Sequence, residues 1–210
     1  MSFAGKLLET YFDLVYNPVY DFAAARFPRY RELHATCVAS LELKDNDRVL
    51  CVGLGTGNEA LHILQRNRDV NIVGVDFSKT ALRKARKKAL KWGKEIELLV
   101  MDAHQLQFPA ESFDKVLCLH VMDFVEDGRE VTSEIVRVLK QGGEFVVTYP
   151  SAREGLGLGC NLLRDSVSSE LGSGKRSVRV LLGFLAQMMV GLVYLPLLLR
   201  PKRKSYSRDE

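Results

Sequence analysis

The segment that most constrains the fold runs from Arg48 to Ser78. Arg48-Val-Leu-Cys-Val-Gly-Leu-Gly-Thr-Gly-Asn-Glu59 reads as a short apolar strand, a glycine-rich turn and the start of a helix. Val73-Gly-Val-Asp76 then ends a second strand on a carboxylate. A continuous apolar run such as 49–52 suits a strand covered on both faces of a parallel sheet. Gly53, Gly55 and Gly57 alternate through the turn, where a chain without Cβ atoms can bend sharply and approach a ligand. The helix beginning near Asn58 directs its free N–H groups at the same place. Asp76 falls 19 residues beyond Gly57, and a carboxylate at such a strand tip can accept hydrogen bonds from both hydroxyls of a ribose. Together these features predict a site for a nucleoside-containing cofactor.

The third glycine of the dinucleotide fingerprint G-x-G-x-x-G would occupy position 58, which is Asn58. The chain carries G-x-G-x-G instead, and this resembles the first motif of class I S-adenosylmethionine-dependent methyltransferases. Met101-Asp102-Ala-His-Gln-Leu-Gln-Phe-Pro109 and Ser112-Phe-Asp-Lys-Val-Leu-Cys-Leu-His120 resemble the third and fourth strand ends of that family. Val138-Leu-Lys-Gln-Gly-Gly-Glu-Phe-Val-Val147 resembles its helix, Gly-Gly turn and fifth strand. The pieces follow in the family's order from about Asp47 to Tyr149, roughly half the chain.

The resemblance implies a Rossmann-like α/β three-layer sandwich with a mainly parallel sheet, and S-adenosyl-L-methionine as cofactor. Gly53, Gly55 and Gly57 would line its methionine and ribose side, and Asp76 would hold the ribose hydroxyls. Phe77 would pack on the adenine; Asp102 and Ala103 would meet the adenine edge. His120 would stand near the methionine moiety and the transferred methyl. His120 and Asp123 are the candidates for taking a proton from the acceptor. The chain departs from the family at Cys51, where an acidic residue that helps orient the cofactor's ammonium is common. A thiol cannot replace that charge.

Alternating strand and helix patterns predict strands at 48–52, 71–75, 96–100, 114–119 and 143–149, with helices at 58–67, 79–92 and 128–140. Residues 47–150 thus form the cofactor-binding core. Residues 1–46 read as a helical cap of two helices broken near Asn17-Pro18, dense in aromatic side chains. Tyr16, Tyr20 and Tyr30 are candidates to cover the substrate; burial of the same rings against the sheet is the structural alternative. The basic helix 79–92 reads as a solvated face, with attraction to anionic lipid or nucleic acid as the minority reading.

Residues 151–210 form a basic-flanked apolar extension. Val180 to Leu199 is twenty residues without a charge. A helix of that length reaches about 30 Å, enough to cross a hydrocarbon core. Basic residues on both sides, together with Gly183, Gly191 and Pro196, favour contact with the membrane surface over a clean span. The chain offers too few residues after Leu199 for the family's last two strands, so an oligomer or completing partner is possible. The four cysteines at 37, 51, 118 and 160 lack paired metal spacing, which fits reduced packing thiols and no metal. No secretory signal is apparent at Met1–Asn17. The reading is a cytoplasmic, peripherally membrane-associated methyltransferase acting on a hydrophobic small molecule, resembling the quinone-biosynthesis branch. A nucleic-acid methyltransferase is the less favoured alternative, because the net charge of +4 is modest and no recognition module is visible. A non-catalytic or partner-dependent cofactor-binding protein is the other.

Overall fold

A computed structural model describes residues 10–17, 20–21, 24, 28–122, 124–125 and 127–149. The apolar run at 48–52 is a central strand, β1 (Arg48–Val52), flanked by β2 (Asn71–Asp76) and β4 (Phe113–Cys118). β3 (Glu97–Val100) lies outside β2, and β5 (Leu139–Val147) lies outside β4. Every pairing is parallel and the order is 3-2-1-4-5. The order reverses between β1 and β4, and ligands of such sheets bind beyond the strand ends at that switch point.

Side chains alternate across β1 and so feed two cores. Val49 and Cys51 join one cluster with Val38 and Leu41 of the cap region, Ile63 of α2 (Asn58–Arg66) and Leu82 and Ala85 of α3 (Lys79–Lys91). Leu50 and Val52 face the other cluster, built on Val131, Ile135 and Val138 of α4 (Gly128–Val138). Helix α1 (Pro28–Ala39) packs with α2 on the first face. The result is the three-layer α/β sandwich that the strand–helix alternation predicts.

The boundary between α4 and β5 differs from the expectation. The predicted helix 128–140 stops at Val138, because Leu139 is already extended at φ −77, ψ 134 and pairs with Phe113. The ladder then slips, resuming at Lys115 opposite Glu144. Gly142, at φ +75, takes up the extra chain, a backbone state that glycine adopts without steric cost. The Gly-Gly pair is therefore an irregularity within the strand rather than a turn before it.

The cap places a π-helical turn at Phe12–Tyr16 ahead of α1. Residues 151–210, including the apolar stretch 180–199, lie outside the described residues. Among the described residues, no helix is long and apolar enough to cross a membrane.

Ile135 is fully buried between α4 and the sheet. Ile135→Ala is expected to cost about 2–5 kcal/mol. Urea denaturation should show the lower midpoint with an unchanged slope.

Candidate functional site

The glycine turn folds as it does because Gly53, Gly55 and Gly57 all take positive φ, at +67, +56 and +83. Two of them are also required by packing. A Cβ on Gly53 would collide with Val121 Cγ2, and one on Gly57 would lie 3.0 Å from Ala85 Cβ. Gly55 is different: a Cβ there would meet only the Gly53 carbonyl, at 3.9 Å. An open surface therefore stands in front of Gly55.

Asp76, at the end of β2, faces that surface and is 8% exposed. Its Oδ2 accepts the Gly55 N–H at 2.8 Å, and its Oδ1 accepts the Ser78 N–H at 2.8 Å. Each oxygen keeps a second lone pair for a ribose hydroxyl. Burial pushes the carboxyl up to about 6, against the backbone N–H groups of Ser78, Gly55 and Phe77, with Asp13 nearby adding to the rise. Donors from a ligand would favour the ionised form.

The cap is fastened over this crevice by polar contacts. Asp13 accepts from the hydroxyls of Ser78 at 2.5 Å and Thr80 at 2.9 Å, and Asn17 donates to Ser78 Oγ at 3.3 Å. Asp21 accepts from Thr56 Oγ1 at 2.5 Å and from the Lys88 ammonium at 2.7 Å. Lys88 also donates to Thr56 Oγ1 and to the side-chain Oδ1 of Asn58, at 3.0 and 2.8 Å. The Asn58 side-chain nitrogen is buried with no hydrogen-bond partner among the described residues, so a donor stands unused at the head of α2.

Above these bonds lies an aromatic cluster. Phe12 meets Phe77 edge-on at 5.1 Å and Phe124 at 5.0 Å, and it touches Tyr16 at 4.7 Å. Tyr16 stacks on Tyr20 at 5.6 Å. Tyr16 is buried, whereas Phe77 keeps 37% of its surface exposed beside the crevice. Tyr30 falls within α1.

His120 follows β4 at φ +59, a conformation uncommon for a residue with a Cβ. Its backbone N–H donates to Thr148 Oγ1 at 2.8 Å. Its ring lies 5.5 Å from His34 on α1, which in turn lies 6.2 Å from His62 on α2. His34 is pushed down to about 3 by burial and by its two histidine neighbours, so it is neutral near pH 7. Asp102 follows the end of β3 with its side chain 71% exposed, and Oδ1 accepts the His104 N–H at 2.9 Å and contacts its ring at 2.7 Å. Ala103 packs on the second core. Asp123 lies outside the described residues.

Several groups around the crevice escape a sequence reading. Asp13, Asp21 and His34 come from the cap, far from the motifs in the chain. Lys88 belongs to a basic run that reads as solvent-facing. Glu59, in the first turn of α2, is 5% exposed. Burial pushes its carboxyl up to about 8 despite its backbone hydrogen bond, with Asp76 raising it further and Lys88 lowering it. In sequence it looks like an ordinary acid at a helix N-terminus.

The methyltransferase domain family matches residues 50–147, from within β1 to the end of β5 and including the glycine turn. That stretch is a methyltransferase domain of the class I S-adenosylmethionine-dependent type. It is 36% identical over 138 residues to a phosphatidylethanolamine N-methyltransferase of Cereibacter sphaeroides, covering 65% of each chain. It is 37% identical over 100 residues to a demethylmenaquinone methyltransferase of Thermus thermophilus, covering 48% of this chain and 46% of that one. The [4+2]-cyclase SpnF superposes with a TM-score of 0.56 at 28% identity, over 60% of this chain and 47% of its own. The chain thus spans about half to two thirds of the length of these relatives.

The cofactor of this methyltransferase core is S-adenosylmethionine, and the residues present fit it. The open cradle at Gly55, the spare lone pairs of Asp76 and the unused Asn58 donor match a ligand with ribose hydroxyls and polar ends.

The buried acid Glu59 sets a pH dependence for the cofactor-free fold. It holds its proton to about pH 8 when folded but only to about 4.5 when unfolded. The native state therefore binds more protons in that window, and stability falls as pH rises through it. His34 acts in the opposite sense between about 3 and 6.5, and its contribution is complete above that. Asp76, raised to about 6, has largely ionised by pH 7. From pH 6.5 to 8 stability should fall by about 1–2 kcal/mol. Denaturant titrations at each pH should find the fall largely absent in Glu59→Gln.

Proposed function

We propose that this protein transfers the methyl group of S-adenosylmethionine to a hydrophobic small molecule, a quinone precursor or another lipid, while associated with a membrane surface. The observation that carries the reading is the aromatic cover of Phe12, Tyr16, Tyr20 and Phe124 fastened directly over the Gly55–Asp76 crevice. An acceptor entering beneath that cover meets the rings of Phe12, Tyr16 and Phe124. Two relatives named for lipophilic molecules, phosphatidylethanolamine and demethylmenaquinone, support the same substrate class. The apolar stretch 180–199, with basic residues on either side, supports membrane contact in sequence.

The cofactor supplies an electrophilic methyl on a sulfonium, which leaves as a neutral thioether. The chain's own residues position and dry the two reactants, and an in-line displacement draws most of its acceleration from such positioning. Asp76 orients the ribose through its two oxygens, and Phe77 offers an exposed ring face to the adenine. The cap excludes water through its aromatic cluster while Asp13, Asn17 and Asp21 hold it to Ser78, Thr80 and Thr56. His120, fixed at its backbone by Thr148, is the group proposed to receive a proton from a phenol, enol or amine acceptor. Asp123 is the second candidate for that role. Tyr16, Tyr20 and Tyr30 of the cap are the residues proposed to cover the acceptor.

Incubation with methyl-labelled cofactor and detergent-solubilised membrane and cell extracts should place label in the organic phase. Gly55→Arg, whose side chain would fill the open cradle, should lower those counts at least about tenfold, and Asp76→Ala should weaken cofactor binding by about tenfold or more. Label confined to nucleic acid would sink the lipid reading and favour a role for the basic helix α3. Cofactor binding without label in any fraction would favour a binding or partner-dependent protein.

A further inference from the structure

The mouth of the crevice holds more buried carboxyl groups than cations. Glu59 and Asp76 are 5% and 8% exposed. Asp13 acts on Asp76, and Asp21 flanks Thr56. Lys88 is the cation that acts on Glu59, yet its ammonium is already bonded to Asp21, Thr56 and Asn58. Glu59 is buried in the first turn of α2, two residues past Gly57 of the glycine turn, and its charge bears on Cys51 of β1, Cys118 of β4 and Asp76 of β2. A buried carboxyl facing a second carboxyl costs folding stability unless a cation answers it. None of the cap's fastenings uses Glu59.

Cys51 sits at the position where the family commonly carries the acid that orients the cofactor's ammonium. It is fully buried, and its thiol is held well above its ordinary value by burial first and by Glu59 second. Cys51 is therefore neutral and offers no charge. We infer that the Glu59 carboxylate receives the ammonium of the methionine end of S-adenosylmethionine, so that the orienting acid comes from the first turn of α2 instead of from β1. The inference rests on the reading that S-adenosylmethionine binds at the glycine turn. It also settles where the proton goes. Glu59 is protonated in the free protein near neutral pH, the arriving cation favours the carboxylate, and the proton leaves to solvent.

Two thioether ligands isolate this contact. S-Adenosylhomocysteine and 5′-methylthioadenosine share adenine, ribose and sulfur, but the second lacks the amino-acid end. Their binding to wild type, Glu59→Gln and the double variant Cys51→Asp/Glu59→Gln is measured by calorimetry at pH 7.2, in two buffers of different ionisation enthalpy. Glu59→Gln should weaken S-adenosylhomocysteine by about 10- to 100-fold and leave methylthioadenosine within about twofold. Wild type should release close to one proton more with S-adenosylhomocysteine than with methylthioadenosine, and the variant should lose that difference. The double variant should recover much of the lost affinity.

Equal weakening of both ligands, or unchanged affinity for S-adenosylhomocysteine, would overturn the assignment. If Glu59→Gln does not fold, equal proton release by wild type with the two ligands overturns it. Wild type that binds methylthioadenosine but discriminates against the amino-acid end refutes Glu59 alone. Wild type that binds neither refutes the cofactor reading and this inference with it.

Discussion

The carboxylate of Asp76 ties the site together. One oxygen holds the glycine turn through the Gly55 N–H, and the other holds the following loop through the Ser78 N–H. Those two loops come from successive strand–helix units, so the bond fixes the spacing between the ends of β1 and β2. Ser78 then caps α3 by accepting the Ala81 N–H at 3.0 Å, and it donates to Asp13 of the cap. Position, helix start and cap closure therefore depend on one buried acid. Its desolvation makes it costly, and the two short N–H donors are what keep a charge there near neutral pH.

The second constraint is how the cap is held. Its rings bury apolar surface against Phe77 and Phe124, a non-directional attraction that would tolerate sliding. The bonds from Asp13, Asn17 and Asp21 are directional and select one placement. A cover built this way combines a dry interior with a defined geometry, which suits a displacement that gains most from exclusion of water and alignment. The same arrangement gathers acids around the crevice mouth, and that charge gives a cationic cofactor a reason to enter. Lys88 partly offsets it.

Strand identity and order along the core were legible because each strand carries a short apolar run of its own, as in Val49–Val52, bounded by glycine or a polar residue. The glycine turn was legible for a similar local reason, since three residues in one short stretch take positive φ and only glycine does so freely. The α4–β5 boundary was not. Whether Leu139 continues a helix or joins a ladder depends on Phe113 across the sheet, a partner 26 positions away.

Sequence alone therefore determined the layered α/β architecture, the glycine-rich turn after β1 and the acid at the end of β2. All of these follow from backbone periodicity and local steric demand. Tertiary structure decided which charges are buried and what they face. Glu59 and Lys88 look like ordinary helix-surface residues until α2 folds against the strand ends and α3 swings its lysine toward Asp21. His34 and His120 are 86 positions apart and meet only because α1 lies over the end of β4. Burial and long-range electrostatics are properties of the packed chain, and no local pattern encodes them.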